Sequence, residues 1–315
     1  MEKVISDTKE AISFLETKLG LGVTNVACLK GGEWSTAFEY TLNNKAFVVR
    51  FGQHVDDYRR DEIASGYSSV SLPIPKILEV GKAFSGYYAI SEKAFGVMLD
   101  DISGEEIGSV LPSLFDAIKS ASIVDLSNRR GFGIWESDGN APFNTWSEAL
   151  KFALTDSPSR RTFGWRDKLS SYPHSLEVFN LGYTKFIDLV KVCPNVKNLI
   201  HSDLLNRNVI VRDNKVSAII DWGCSMYGDY LYDVAWLIYN WPSYSKWKDI
   251  DIVSKAKEYF VNNDLTETDF DNRIECYLLH IGLDAMAYNA FKERKEELEV
   301  NTNRIMELVP NTTQN

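Results

Sequence analysis

The sequence predicts an α+β chain of two lobes, a small β-rich one followed by a larger helical one. Three observations predict it. Alternating, β-prone runs separated by Gly31-Gly32 and Asn43-Asn44 crowd the first third of the chain. From about Gly96 onward the apolar residues recur at helical spacing. Between the two patterns lies a short connector, Ser91 to Gly96, which places the expected boundary between residues 1–95 and 96–315.

Asp7 and Glu10 have capping-box spacing ahead of an amphipathic run through Ile12, Leu15 and Leu19, and Gly20 and Gly22 end that helix. Strands are expected over 23–29, 36–42 and 46–51, a helix over 57–69 that stops before Leu72-Pro73-Ile74-Pro75, and further strands over 76–80 and 86–92. Helices are expected over 107–123, 146–154, 176–192, 232–239 and 274–290. Two short strands, 209–212 and 216–220, interrupt them and are joined by the turn Asp213-Asn214.

The bulk properties bound the function. With 315 residues, 44% hydrophobic and 25% charged, the chain has the make-up of an ordinary globular protein large enough for two domains. Thirty-four basic against 44 acidic residues give a net charge of −10, and the isoelectric point is near 5.0. Such a surface repels nucleic acid and anionic membrane and draws in cationic ligands. The four cysteines, Cys28, Cys193, Cys224 and Cys276, form no C-x-x-C pair, which argues for a reducing compartment and against a disulfide or zinc framework. The N-terminal stretch carries no apolar signal core and no segment is apolar enough to cross a bilayer, so the chain reads as cytoplasmic. G-x-S-x-G, H-E-x-x-H, Walker A and Rossmann signatures are absent.

One constellation carries chemistry. His201-Ser202-Asp203-Leu204-Leu205-Asn206-Arg207-Asn208 fits H-x-D-x-x-x-x-N, and the strands after it end at Asp221-Trp222-Gly223, which fits D-x-G. Phosphoryl transfer needs a group that orients the attacking hydroxyl and accepts its proton, and cations that neutralise phosphate oxygens. Asp203 suits the first task. Asn208 and Asp221 offer oxygen ligands to a hard cation, and a hairpin between them would bring them together. His201 reads as a brace for the loop.

These motifs, with Gly228-Asp229-Tyr230-Leu231-Tyr232-Asp233-Val234-Ala235, resemble the aminoglycoside phosphotransferase family. Gly32-Glu33, Ala37-Phe38, Leu72-Pro73-Ile74-Pro75, Ile90-Ser91, Asp125-Leu126-Ser127, Gly131-Phe132-Gly133 and Ile281-Gly282-Leu283-Asp284 resemble its hygromycin B phosphotransferase branch. The resemblance spans about residues 5 to 290. It implies a bilobal, protein-kinase-like fold, with residues 1–95 as nucleotide-binding lobe and 96–315 as the lobe of catalytic loop and acceptor site. It implies transfer of the γ-phosphate of ATP to a hydroxyl of an aminoglycoside such as hygromycin B, with Asp203 as base and Asn208 and Asp221 on Mg²⁺. A loop over Gly31 to Thr36, including Ser35 and Thr36, would cover the phosphates, and a hinge over Ser91 to Ala94, including Glu92 and Ala94, would meet the adenine.

Arg50 departs from the kinase pattern, which places lysine on this strand to hold phosphates and pair with an acid on the next helix. Glu62 is the expected acid and Asp61 its alternative. Asp229 and Asp233 read as anchors of the catalytic loop and helix start. For the acceptor, carboxylates and flat apolar faces are expected, and Asp125, Trp241 and Asp284 are the candidates by alignment with the family. Trp241 also fits core packing, and Asp284 a capping or ion-pair role. The chain reads as a monomer or weak dimer. Other acceptors (a macrolide, an amino alcohol, a sugar metabolite) and a nucleotide-binding pseudokinase are the competing readings.

Overall fold

Asp7 starts the first helix as its spacing with Glu10 predicts. Its carboxylate accepts the Lys9 and Glu10 N–H groups at 2.8 and 3.0 Å, and Glu10 accepts the Asp7 N–H at 3.4 Å. The computed structural model describes residue 4 and residues 7–30, 32–263 and 268–309. Helix α1 (Thr8–Leu19) lays Ala11 and Leu15 on an antiparallel sheet. That sheet holds β1 (Val23–Cys28), β2 (Ser35–Leu42), β3 (Lys45–Gly52), β4 (Ile77–Ala83) and β5 (Gly86–Glu92) in the order β1-β2-β3-β5-β4. Phe38, Tyr40, Val49, Phe51, Tyr88 and Ile90 fill the face under α1.

Helix α2 (Val55–Ser65) is inserted between β3 and β4. It ends four residues before the expected 69, because Gly66 caps it and the Ser68 and Ser69 hydroxyls accept the N–H groups of Ile74 and Leu72 (2.9 and 3.1 Å), turning the chain. The β2–β3 turn follows its sequence signal: Asn43 and Asn44 both take left-handed φ, 51° and 60°, as a tight hairpin requires.

After β5 come β6 (Val97–Met98), α3 (Gly104–Ser122), β7 (Gly133–Ile134), α4 (Trp146–Ala153), α5 (Trp165–Ser170), α6 (Pro173–Leu189) and β8 (Asn198–Ile200). The hairpin β9 (Val209–Arg212) and β10 (Lys215–Ile219) precedes β11 (Met226–Gly228), α7 (Leu231–Asn240), α8 (Ile252–Asn262), α9 (Phe270–Phe291) and α10 (Lys295–Leu308). The helices and strands expected from the sequence are present. The two-residue strands, β8, β11, α5, α8 and α10 are additions to that expectation, the strands being too short to show periodicity. Among the described residues no helix is long and apolar enough to cross a membrane.

The chain divides into two compact units. The first comprises Met1–Val124, Trp135–Asn140 and Asp203–Ser225. The β9–β10 hairpin belongs there because β9 pairs with both β10 and β6, and Ser113 of α3 accepts the Val216 N–H at 3.0 Å. The second comprises Asp125–Ile134, Ala141–Ser202 and Met226–Asn315, built around α9. Gly182 of α6 lies so close to Ile305 and Leu283 that a Cβ there would stand 2.8 and 3.2 Å from their side chains, which lets α6, α9 and α10 cross tightly.

Within this second unit His280 is buried. One ring nitrogen lies 3.0 Å from the Tyr232 hydroxyl and the other 3.0 Å from the Leu150 carbonyl. The carbonyl accepts an N–H, so the first nitrogen accepts the tyrosine proton and the ring is neutral. Burial pushes its pKa down to about 4. Between pH 6.5 and about 4 the unfolded chain therefore binds a proton that the folded ring refuses, and stability falls as pH falls, by up to about 3 kcal/mol. Urea midpoints are expected to drop across that window in the native sequence and to drop less in His280→Gln. Parallel declines would contradict the assignment.

Candidate active site

The site is built by a hairpin and a helix of the first unit. The Ile220 N–H donates to the Asn208 carbonyl at 2.9 Å, closing the β9–β10 ladder one residue before Asp221. Asp221 thus directly follows the residue that faces 208 across the hairpin, although the two positions are thirteen apart in sequence. The Asp213-Asn214 turn takes φ of 52° and 58°, the geometry that makes so tight a return possible.

Asp203 is half-buried and held by two amides. Asn206 Nδ2 donates to its Oδ1 at 2.7 Å, and Asn208 Nδ2 donates to its Oδ2 at 3.0 Å and to its carbonyl at 2.8 Å. Burial pushes the Asp203 carboxyl well above the ordinary carboxylate range, with the Asp221 charge adding to it and both amides opposing it. Because the Asn208 nitrogen is committed to Asp203, the oxygen is the atom this side chain has to offer a cation. Asn206 is an addition to the residues expected from the sequence. Its signal there is its place three residues after Asp203, in a stretch where asparagine tolerates left-handed φ (60° here).

Asp61 of α2 joins the rest. Its Oδ1 accepts the Trp222 N–H at 2.7 Å, and its Oδ2 pairs with Arg50 Nη2. Arg50 Nη1 lies 3.7 Å from Asp221 Oδ1, and the guanidinium sits 5.2 Å from the Tyr58 ring centroid. One arginine therefore faces two carboxylates, an arrangement that suits its planar fork. Burial pushes the Asp61 carboxyl up to about 6 against the pull of Arg50. Asp221 itself takes φ of 62° and keeps its side chain about half exposed (55%).

In the second unit, Asp233 Oδ2 and Oδ1 accept the backbone N–H groups of His201 and Ser202 at 2.9 and 2.7 Å, so the start of the catalytic loop is anchored through its main chain. Asp229 is fully buried and takes both Arg273 Nε and Nη2 (2.9 and 2.7 Å), the Tyr277 hydroxyl (2.5 Å) and the Leu231 N–H (3.1 Å), fixing the start of α7.

Comparison with known proteins bears on this arrangement. The profile of the Phosphotransferase enzyme family matches residues 184–250. Hygromycin-B 4-O-kinase of Escherichia coli is 27% identical over 270 residues, covering 84% of this chain and 74% of the relative. The crystal structure of a thermostable mutant of aminoglycoside phosphotransferase APH(4)-Ia, a ternary complex with AMP-PNP and hygromycin B, superposes with TM-score 0.80 at 25% identity, covering 94% of this chain and 97% of that one. This chain has a kinase-like fold and is similar to the aminoglycoside phosphotransferases. Aminoglycoside 2'-phosphotransferase-IIIa in its GDP complex shares the fold at TM-score 0.64 and 14% identity, covering 96% and 98% of the two chains.

The structure corrects one expected pairing. Glu62, the acid expected to meet Arg50, instead pairs with Arg59 at 2.6 Å on an exposed face, and Asp61 takes the role. One residue along a helix turns a side chain by about 100°, enough to swing Glu62 from the sheet side to solvent. Trp241 is a second correction. Its ring is buried, 4.7 Å from that of Trp247, and its Nε1 donates to the Trp247 carbonyl at 3.3 Å, so it is a core residue and offers no open face to a ligand. Asp284 pairs with Arg160 at 3.1 Å. Asp125 is exposed and accepts the Ser127 N–H at 2.9 Å.

Ser35 and Thr36 open β2 opposite Gly52 and Phe51, with Ala37 opposite Arg50, so the expected phosphate loop runs into the strand beside the arginine. Gly32 takes φ of 80° there, while Gly31 lies outside the described residues. Glu92 ends β5 with its N–H on the Lys76 carbonyl at 3.1 Å, and Ala94 follows in irregular chain.

The Asp61–Arg50 pair yields a direct contrast. Asp61→Asn leaves a buried guanidinium without its main counter-charge and is expected to destabilise the chain by about 3–5 kcal/mol. Glu62→Gln breaks an exposed i,i+3 pair and should stay within about 0.5 kcal/mol. Urea denaturation of both variants checks it, and equal losses would contradict the pairing described.

Proposed function

We propose that the chain moves the γ-phosphoryl group of ATP to a hydroxyl of an aminoglycoside, hygromycin B being the first acceptor to test. The observation that carries the reading is the Asp203 carboxylate, held on both oxygens by Asn206 and Asn208, with the charge of Asp221, itself 3.7 Å from Arg50, acting on it. The similarity to a hygromycin-B 4-O-kinase and to a structure with AMP-PNP and hygromycin B supports the acceptor class.

In this reading Asp203 orients the acceptor hydroxyl and accepts its proton as the O–P bond forms, and the two amides fix the carboxylate in that pose. Arg50 is the cation beside the nucleotide phosphates. Asn208 and Asp221 suit Mg²⁺, a hard cation that takes few protein oxygens and completes its shell with phosphate oxygens and water. When bound it would neutralise phosphate charge. Ser35 and Thr36 would border the phosphates, and Glu92 and Ala94 the adenine. Residues 1–95 form the nucleotide-binding lobe in this scheme and 96–315 the lobe of catalytic loop and acceptor site. The acidic net charge draws the polycationic acceptor, with Asp125 and the Arg160-paired Asp284 as its carboxylates. The enzyme acts as a monomer or weak dimer, in the cytoplasm.

The test is coupled ADP release with Mg-ATP over a panel of hygromycin B, other aminoglycosides, macrolides and amino alcohols. Turnover is expected on hygromycin B, and Asp203→Asn is expected to lower kcat by about 10²–10⁴-fold. Turnover confined to a non-aminoglycoside acceptor would overturn the acceptor, and full activity in Asp203→Asn would overturn the mechanism.

A further inference from the structure

We propose that Arg207 is a positioning residue that locks the catalytic loop onto Asp100 and Asp101 and thereby holds Asp203 in its reactive pose. The inference rests on the kinase reading above. Arg207 lies between the two asparagines that grip Asp203, and both it and Asn206 adopt left-handed backbone, φ 68° and 60°. Such a conformation is uncommon for arginine and persists only where surrounding contacts fix it.

Two consecutive acids supply those contacts. Arg207 Nη1 and Nη2 donate to Asp101 Oδ1 and Oδ2 at 3.0 and 2.9 Å, a two-pronged fork on one carboxylate. The Arg207 main-chain N–H donates to Asp100 Oδ2 at 3.0 Å. Side chain and backbone of one residue are thus both fixed. The chain path explains why these groups meet. In the antiparallel pairing of β6 with β9, Met98 stands opposite Ile210 and Val97 opposite Val211. The pairing ends there, and the single helical turn Leu99–Asp101 that follows β6 carries the acids to the loop before β9.

An ordinary exposed ion pair contributes little, because water screens it and two long side chains must be held still. Here the two side chains are about half exposed, 43% and 55%, but the geometry is bidentate and the backbone is clamped as well. If the lock opens, the turn at 206–207 relaxes. The Asn206 amide then loses the orientation in which it meets Asp203 Oδ1, while Asn208 stays held by the Ile220 N–H on its carbonyl. On the nucleotide side of the site, Arg50 is held by Asp61 of α2 and faces Asp221, a set of contacts separate from the Arg207 fork. The effect should therefore appear in the chemical step and not in nucleotide binding.

Arg207→Gly separates the lock from backbone strain, since glycine adopts left-handed φ freely and keeps the turn available. In the full chain, with whichever acceptor is turned over, kcat is expected to fall about 10- to 100-fold while KM for ATP stays within about twofold. The exchanged pair, Arg207→Asp with Asp101→Arg, is expected to recover part of the loss that either single change causes. Hydrogen exchange of the amides from Asp203 to Asn208 is expected to quicken in Arg207→Gly. Unchanged kcat, or unchanged exchange in this segment, would overturn the lock. Faster exchange in a pair of proteins that turn over no acceptor would support the lock and overturn the kinase reading instead.

Discussion

The catalytic unit depends on one buried carboxylate. Asp61 accepts the Trp222 amide proton with one oxygen and binds Arg50 with the other, so helix α2, strand β3 and the end of the β9–β10 hairpin meet at a single side chain. Taking a carboxylate out of water is costly, and burial pushes this one up to about 6. The two partners offset that cost and gain a defined geometry in return. Arg50, so fixed, faces Asp221 at 3.7 Å, and the pairing across the ladder sets Asn208 beside Asp221. The unusual arginine on β3 follows from this: a lysine ammonium is a point charge and would not present two separate faces to Asp61 and Asp221 in the same rigid plane.

The catalytic loop is a strained segment held at successive points. Ser202, Asn206, Arg207 and Asp221 all have positive φ, which no regular element would supply. Asp233 fixes its beginning through two main-chain N–H groups, Asn206 and Asn208 fix the carboxylate of Asp203, and Asp100 and Asp101 fix Arg207. Irregular backbone of this kind lets a carboxylate reach outward where a helix or strand would bury or misdirect it. The cost is met by polar contacts, each identifiable, and the orientation they impose is the one that the proposed phosphoryl transfer would require.

Much of this is legible in the sequence because the signals are local. The capping box at Asp7 and Glu10, the turns at Asn43-Asn44 and Asp213-Asn214, and the H-x-D-x-x-x-x-N and D-x-G spacings each depend on residues close in the chain, and the hairpin draws Asn208 to Asp221 as its turn signal implies. What depends on tertiary direction is not legible. Asp61 and Glu62 are neighbours of like chemistry, and their helical angle alone decides which meets Arg50. Trp241 is flat and aromatic in either role, and its burial against Trp247 comes from the fold. The clasp of Arg207 on Asp101 joins positions more than a hundred residues apart through a strand of two residues and one helical turn, too short to leave a period in the sequence. Helix α2 is shorter and β4 longer than the apolar pattern implies, because serine hydroxyls end the one and continued pairing extends the other.

The central claim, that Arg50 and Asp61 act as one device and present the arginine to phosphate, is tested most directly by a double-mutant cycle on nucleotide affinity. Calorimetric Kd values for Mg-ADP would be measured for the native chain, Arg50→Lys, Asp61→Asn and the double variant. The account gives non-additive losses, with the double variant binding about as weakly as the worse single one, because each change disables the same assembly. Losses that simply add would mean the two residues serve the nucleotide independently, and the account of the site would fail.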